Sequence, residues 1–303
     1  MMLRRIAGLA ALMALLLTGG VASAQERARI VVANHALQFF AERVVGDAAQ
    51  VVMPVPSEVD PSFWRPSIAD ISEIQSADLI LLNGAGFSAW VDRVSLPRSK
   101  VVNTSAAIED RFIVTESITH SHGDGDEHSH EGIASYTWLD LSLASAQAQA
   151  IAVAILRKQI APENEVQNAL EQLQSDLMAL DAETAQALAP FAGMAVIATH
   201  PRYQYFGRRY GLSISALEWE AGASPSAMQL QGLAKLVEAT GAKTLLWEAA
   251  PPPAAFEATA ALGLSNVVFE PLAKEPTGQS FLQAFSTGVR MLAASIPNNE
   301  ATQ

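Results

Sequence analysis

Residues 194–212 read MAVIATHPRYQYFGRRYGL. The apolar run Met194 to Ala198 predicts a buried strand, and Thr199-His200-Pro201 closes it before an aromatic and basic segment with helical spacing. His200 therefore stands where a strand stops. In an α/β domain the carboxyl ends of strands face the crevice in which ligands collect, because side chains there leave the sheet. A lone histidine is more often structural than ligating, so the weight of His200 depends on what neighbouring strand ends carry.

Downstream the pattern repeats. A loop containing Trp219 leads to a helix from Ser226 to about Thr240, then a strand Thr244–Trp247 that ends in Glu248. After Pro251-Pro252-Pro253 come another helix, a strand Asn266–Phe269 ending in Glu270-Pro271-Leu272, and a last helix from Gly278 to about Ser295. His200, Glu248 and Glu270 thus end three successive strands of one sheet, a convergence that says more than any of them alone.

Upstream, Pro162 opens a helix through Leu188 in which Val166, Leu170, Leu173, Leu177 and Leu180 form one continuous apolar stripe. At about 1.5 Å per residue such a helix is longer than one domain needs, so it reads as a rigid rod between two lobes. A small-residue helix, Leu143 to Ile160, precedes it. Before that lies a first α/β unit. Arg29–Ala33 is a β-branched strand, His35 stands at its end, Phe39, Phe40, Arg43 and Val44 fall at helical spacing, and Val51–Val55 is a second strand. This β-α-β opening implies a parallel sheet. Asp60 to Pro66 is an extended loop, Ser67 caps a helix carrying Ile71, Ile74 and Ala77, Asp78–Asn83 is a third strand, and Lys100–Asn103 a fourth. Gly84-Ala85-Gly86 lacks the third glycine and the acidic partner of a dinucleotide fingerprint and is read as a tight turn. The expected fold class is α/β: two α/β lobes with parallel sheets, 25–161 and 190–303, joined by a long rigid linking helix, 162–189.

The amino terminus reads as a signal peptide over residues 1–24. Arg4-Arg5 precede an apolar run from Ile6 to Leu17 and an Ala22-Ser23-Ala24 cleavage site. That run is shorter than the roughly 20 residues a membrane span needs, so a soluble, exported, periplasmic protein is expected. Cysteine is absent, which removes a lipoprotein anchor, disulfides and thiolate metal ligands together. Loss of Arg4 and Arg5 moves the formal net charge from -12 to -14, so nucleic acid is not a partner. There is no His-Glu-x-x-His, no Gly-x-Ser-x-Gly and no thiol nucleophile, and no enzyme is predicted.

Residues 119–131 read THSHGDGDEHSHE, a tract with too little apolar surface to fold alone. His120, His122, His128 and His130, set among carboxylates, suit borderline cations such as zinc.

With these pieces placed, the chain resembles the zinc and manganese solute-binding proteins of bacterial ABC transporters. The stretches that carry the likeness are VVANHALQFFAERVVGD, DPSFWRPSIADISEIQSADLILLNGAGFSAWVD, the histidine tract followed by TWLD, the long rod, THPRYQYFGRRYGL, SPSAMQLQGLAKLVEATGAKTLLWE and FEPLA, in matching order and spacing. The resemblance implies a metal held between two lobes and handed to an inner-membrane ABC permease by a monomer. It also implies four ligand positions. The first follows an Asp-Pro pair, where this chain has Ser62; the second lies two residues before Trp-Leu-Asp, where it has Tyr136. The third is His200, and the fourth is the carboxylate of Glu270 in Glu270-Pro271-Leu272.

Serine and tyrosine hydroxyls are poor zinc donors. A rebuilt site would draw on His200, Glu270, His35 and Asp60, with Tyr136 outside them, Glu248 and Trp138 elsewhere in the cleft, and His120, His122, His128 and His130 as auxiliary loop ligands. Zinc is the expected cargo and manganese the second candidate. The reading expects His200 and Glu270 to look at each other across the gap between two lobes hinged by the rod, and it fails if those side chains lie far apart or if the rod is absent. Two alternatives stand beside it: a periplasmic metal buffer or chaperone acting through the histidine tract, and a same-fold binder of a non-metal or chelated solute, for which Trp64, Tyr136, Trp138 and Trp219 are suited.

Overall fold

The computed structural model describes residues 27–115 and 132–296. The expected signal peptide and the histidine tract, including His120, His122, His128 and His130, lie outside the described residues.

Each half is built on a four-stranded parallel sheet. In the first, β1 (Ala28–Val32), β2 (Ala49–Val52), β3 (Leu79–Leu82) and β4 (Val101–Asn103) lie in the order β2-β1-β3-β4. Helix α1 (His35–Val45) connects β1 to β2, and α2 (Ile68–Ser76) leads into β3. Ser67 caps α2 in a reciprocal capping box with Asp70, which satisfies two orphan amides of the first turn. The turn after β3 is left-handed throughout, with φ of 79°, 49° and 70° at Gly84, Ala85 and Gly86. Gly84 has a second reason to be glycine, since a Cβ there would sit 2.1 Å from Asn103 Oδ1. A two-residue antiparallel pair, β5 (Val114–Thr115) and β6 (Gly132–Ile133), was not foreseen and closes the ends of the segment that holds the histidine tract.

The second sheet repeats this wiring. Strands β7 (Ala195–Ala198), β8 (Ser213–Ala216), β9 (Thr244–Trp247) and β10 (Ser265–Val268) lie in the order β10-β9-β7-β8, all parallel. In both sheets the first strand is joined by its successor on one side and by the next two on the other. The topological switch point therefore falls beside the end of β1 in one lobe and beside the end of β7 in the other. Edge strand β8 escapes the sequence pattern, because Ser-Ile-Ser-Ala is short, partly exposed and weakly apolar. Helices α5 (Gln204–Tyr210), α6 (Ala227–Thr240), α7 (Pro253–Ala260) and α8 (Phe281–Ser295) complete this half.

Between the sheets run α3 (Leu141–Arg157) and the 26-residue rod α4 (Glu163–Leu188), about 39 Å long at the usual rise. Val166, Leu170, Leu173, Leu177 and Leu180 are all buried, and α4 packs on α1 and α3 of the first lobe and on α8 of the second. Ion pairs to both lobes flank the carboxyl-terminal end of that stripe. Arg43 of α1 reaches Asp176 at 2.7 Å, and Asp181 accepts from Tyr210 at 2.9 Å and pairs with Arg209. One hydrophobic cluster consequently runs from Ile30 and Leu81 through Leu173 and Leu177 to Phe206 and Phe285. Truncating Leu173 or Leu177 to alanine is expected to cost about 2–5 kcal/mol, as for any fully buried leucine. No helix among the described residues is long and apolar enough to cross a membrane.

Candidate metal site between the lobes

Between the lobes lies one cavity of about 750 Å³, bounded by the carboxyl end of the second sheet and by loops of the first lobe. Asp60, Phe63 and Tyr136 line it from the first lobe, His200, Glu248 and Glu270 from the second. Strand β7 stops at Ala198, Thr199 still pairs with Leu246 across the sheet, and His200 is the next residue out. Its Nδ1 lies 2.9 Å from the carbonyl oxygen of Trp219. A carbonyl only accepts, so Nδ1 carries the proton of the neutral ring and Nε2 keeps its lone pair, the arrangement that prepares an imidazole to ligate a metal. Glu248, at the end of β9, brings Oε1 within 3.9 Å of the same Nδ1.

His200 and Glu270 do not face each other across the gap. Both belong to the second sheet, whose parallel strands deliver them to one edge and thus to one wall of the cavity. Across from them the first lobe supplies Asp60, Ser62 and Tyr136, and these converge on a residue that the sequence reading passed over. Arg202, two positions after His200, is buried with only 7% of its side chain exposed. Its Nη2 donates to Asp60 Oδ2 at 2.8 Å, its Nη1 to Ser62 Oγ at 3.3 Å and its Nε to Glu248 Oε2 at 3.1 Å. The guanidinium carbon stands 4.6 Å from the Tyr136 ring centroid and 5.2 Å from that of Phe63, within cation–π range.

Ser62 donates its hydroxyl to Asp60 Oδ1 at 2.7 Å, and its amide donates to the same oxygen at 2.8 Å, so both Asp60 oxygens are engaged. Burial alone would lower the Arg202 pKa, but Tyr136, Glu248 and Asp60 together hold it above its ordinary value. Burial likewise raises the Tyr136 hydroxyl, against the pull of Arg202, so Tyr136 is a neutral phenol at any physiological pH. A signal for Arg202 was present in the sequence: a cation two positions after a strand-end histidine, in a chain that carries Ser62 and Tyr136 where the resemblance implies ligands.

The remaining candidates separate. His35 is the first residue of α1 and is buried, but it is not among the residues lining the cavity; its backbone amide donates to Ala273 at 2.9 Å. Burial pulls its pKa below 6.5, against the opposing influence of Glu275 and Gln38. Trp138 is fully buried and donates from Nε1 to the Pro271 carbonyl at 2.8 Å, so it fastens the segment after Glu270 to the first lobe. Trp219 is packed into the core of the second lobe beside Trp247, and Trp64 stacks edge-on with Trp90 outside the cleft. No group of three or more histidine, aspartate or glutamate side chains disposed to hold a metal occurs among the described residues.

The family model for the periplasmic component A of the zinc-uptake complex matches residues 30–295. The chain belongs to this family. A Thermotoga maritima protein named for metal binding is 24% identical over 188 residues, a match that covers 62% of this chain and 63% of that relative's length. Among solved structures, the Zn(II)-bound ZnuA-like domain of Streptococcus pneumoniae AdcA aligns with a TM-score of 0.74 at 17% identity, covering 89% of this chain and 99% of that one. The solute-binding protein FpvC of Pseudomonas aeruginosa, solved with Mn2+, aligns with a TM-score of 0.73 at 22% identity over 89% of this chain and 99% of its own. At these identities the structural likeness establishes the fold: two parallel-sheet lobes on a long helix, the architecture of solute-binding proteins. In this chain Ser62 and Tyr136 both lie against the buried guanidinium of Arg202.

Proposed function

We propose that this protein is an exported, periplasmic solute-binding protein that carries a divalent metal, zinc first and manganese second, to the permease of an inner-membrane ABC transporter, through an altered interlobe site. It is not an enzyme in this reading. The observation that carries it is His200: an imidazole at a strand end, its Nδ1 tied to a backbone carbonyl, its Nε2 left as a donor on the wall of an acidic cleft with Glu270. Family membership over residues 30–295 supports the same reading. Imidazole nitrogen and carboxylate oxygen are the donors that zinc and manganese share. In this assignment His200 and Glu270 are the primary ligands, with Glu248 adjacent; Asp60 joins them only when Arg202 releases it, and His35 holds a structural place. The loop histidines, His120, His122, His128 and His130, act as auxiliary ligands that collect metal.

Calorimetric zinc titration of the wild type, His200→Ala and a deletion of residues 120–130 tests this. A site that vanishes in His200→Ala and survives the deletion is the expected result. A signal that disappears only with the deletion would move the function to a metal buffer acting through the tract.

A further inference from the structure

A positive charge already stands at the junction of the two lobes. Asp60 and Ser62 belong to the first lobe and Glu248 to the second, and all three accept hydrogen bonds from one guanidinium. Arg202 and Glu248 are both almost fully buried, at 7% and 5% side-chain exposure, while Asp60 keeps 31%. Two carboxylates and one guanidinium in so enclosed a place form a set that cannot lose its cation without leaving buried negative charge behind. The aromatic faces of Tyr136 and Phe63 cover the guanidinium on the sides where it makes no hydrogen bond. The planar fork suits this role in a way that a lysine ammonium would not, since it spans three acceptors from two lobes at once.

A bare divalent ion entering the cleft at His200 meets this arrangement within two residues of its ligand. It is repelled by the guanidinium, and it finds Asp60 and Glu248 engaged. The outer cleft is acidic, lined by Glu58, Glu220, Glu270 and Glu275 with Lys274 as its one basic residue among the lining groups, so cations are drawn in and selected further inside.

We propose that Arg202 is the cargo-selecting residue of this cleft: a tethered cation that bridges the lobes and competes with the incoming metal ion for Asp60 and Glu248. The proposal deepens the functional reading above and rests on its assignment of the cleft as the cargo site. Arg202→Ala should free both carboxylates and tighten zinc binding by roughly 10- to 100-fold, the scale set by removing a unit charge a few ångströms from a divalent ion in a partly screened site. Arg202→Gln, which keeps the length of the side chain and loses its charge, should show a smaller gain in the same direction.

The decisive control is the double variant Arg202→Ala with Asp60→Asn. If the gain arises because Asp60 is released as a ligand, the double variant returns toward the wild-type affinity; a merely structural arginine would give no such reversal. Calorimetric zinc titration of the full mature chain reads all four proteins, with circular dichroism confirming that each is folded, and Arg202→Gln carries the test should Arg202→Ala fail to fold. Zinc affinity unchanged between the wild type and a folded Arg202 variant, with binding still dependent on His200, overturns this proposal and leaves the metal-carrier reading intact. No zinc binding in any of the four overturns both.

Discussion

The two walls of the cleft have the same scaffold and opposite chemistry. Each belongs to a lobe built on a parallel four-stranded sheet with the same strand order relative to its first strand. The second wall offers an imidazole and two carboxylates, His200, Glu248 and Glu270; the first offers one carboxylate and two hydroxyls, Asp60, Ser62 and Tyr136, drawn onto Arg202. The second wall carries the imidazole, and the residues of the first are gathered around one guanidinium. The lesson is that one scaffold repeated on both sides of a cleft can present different chemistry, with a single buried guanidinium bridging the carboxylates of the two walls.

That contrast can be broken most directly at its centre. Removing the guanidinium in Arg202→Ala leaves Asp60 and Glu248 without their partner and is expected to lower unfolding stability by about 3–4 kcal/mol in urea melts without added metal. A loss under about 1 kcal/mol would mean that the bridge between the walls is weak. On the other wall, His200→Ala should leave stability within about 1 kcal/mol of wild type while weakening zinc binding about 100-fold. An equal affinity in titration would show that the second wall is not where metal is held. Between these, Trp138→Phe removes the indole donor to the Pro271 carbonyl and should cost about 1 kcal/mol; a denaturant midpoint identical to wild type would show that this clasp contributes nothing.

The smallest effect concerns His35. Its pKa is held below 6.5 in the folded chain, chiefly by burial. The unfolded chain therefore binds the proton first, so stability is unaffected above about pH 6.5 and declines as pH falls below it toward the folded value. His35→Gln should flatten that acid slope relative to wild type in melts from pH 7 to pH 5, and an unchanged slope would assign the decline to other groups.

Much of the fold could be read in advance because its signals are local. The apolar stripe of α4, the serine cap of α2 and the apolar runs of β1, β3 and β9 each reflect residues close in sequence, and the structure puts elements where those signals lie. Strand β8 and the β5–β6 pair were missed because neither has an apolar run; they exist through pairing with distant strands. In the cleft, the strand-end positions of His200, Glu248 and Glu270 were legible, since period and strand length fix them. Parallel strands of a single sheet put all three on one wall, which is why His200 and Glu270 cannot face each other across the gap. Arg202 stayed hidden for a different reason. Its partners Asp60, Ser62 and Tyr136 lie 66 to 142 positions away, and only the packing of one lobe on the other brings them together. His35 shows the reverse error: a strand end at the switch point marks a crevice, yet the segment that follows Glu270 covers it.

That covering segment has a mechanical meaning of its own. Pro271 and Ala273 offer their carbonyls to Trp138 and to the amide of His35, both in the opposite lobe, immediately after the Glu270 carboxylate. Separating the lobes must break these two bonds, and doing so frees the backbone that steadies Glu270. In the proposed carrier, unloading would begin as a loss of footing for a single carboxylate, with the imidazole, anchored within its own lobe to Trp219, the last donor to let go.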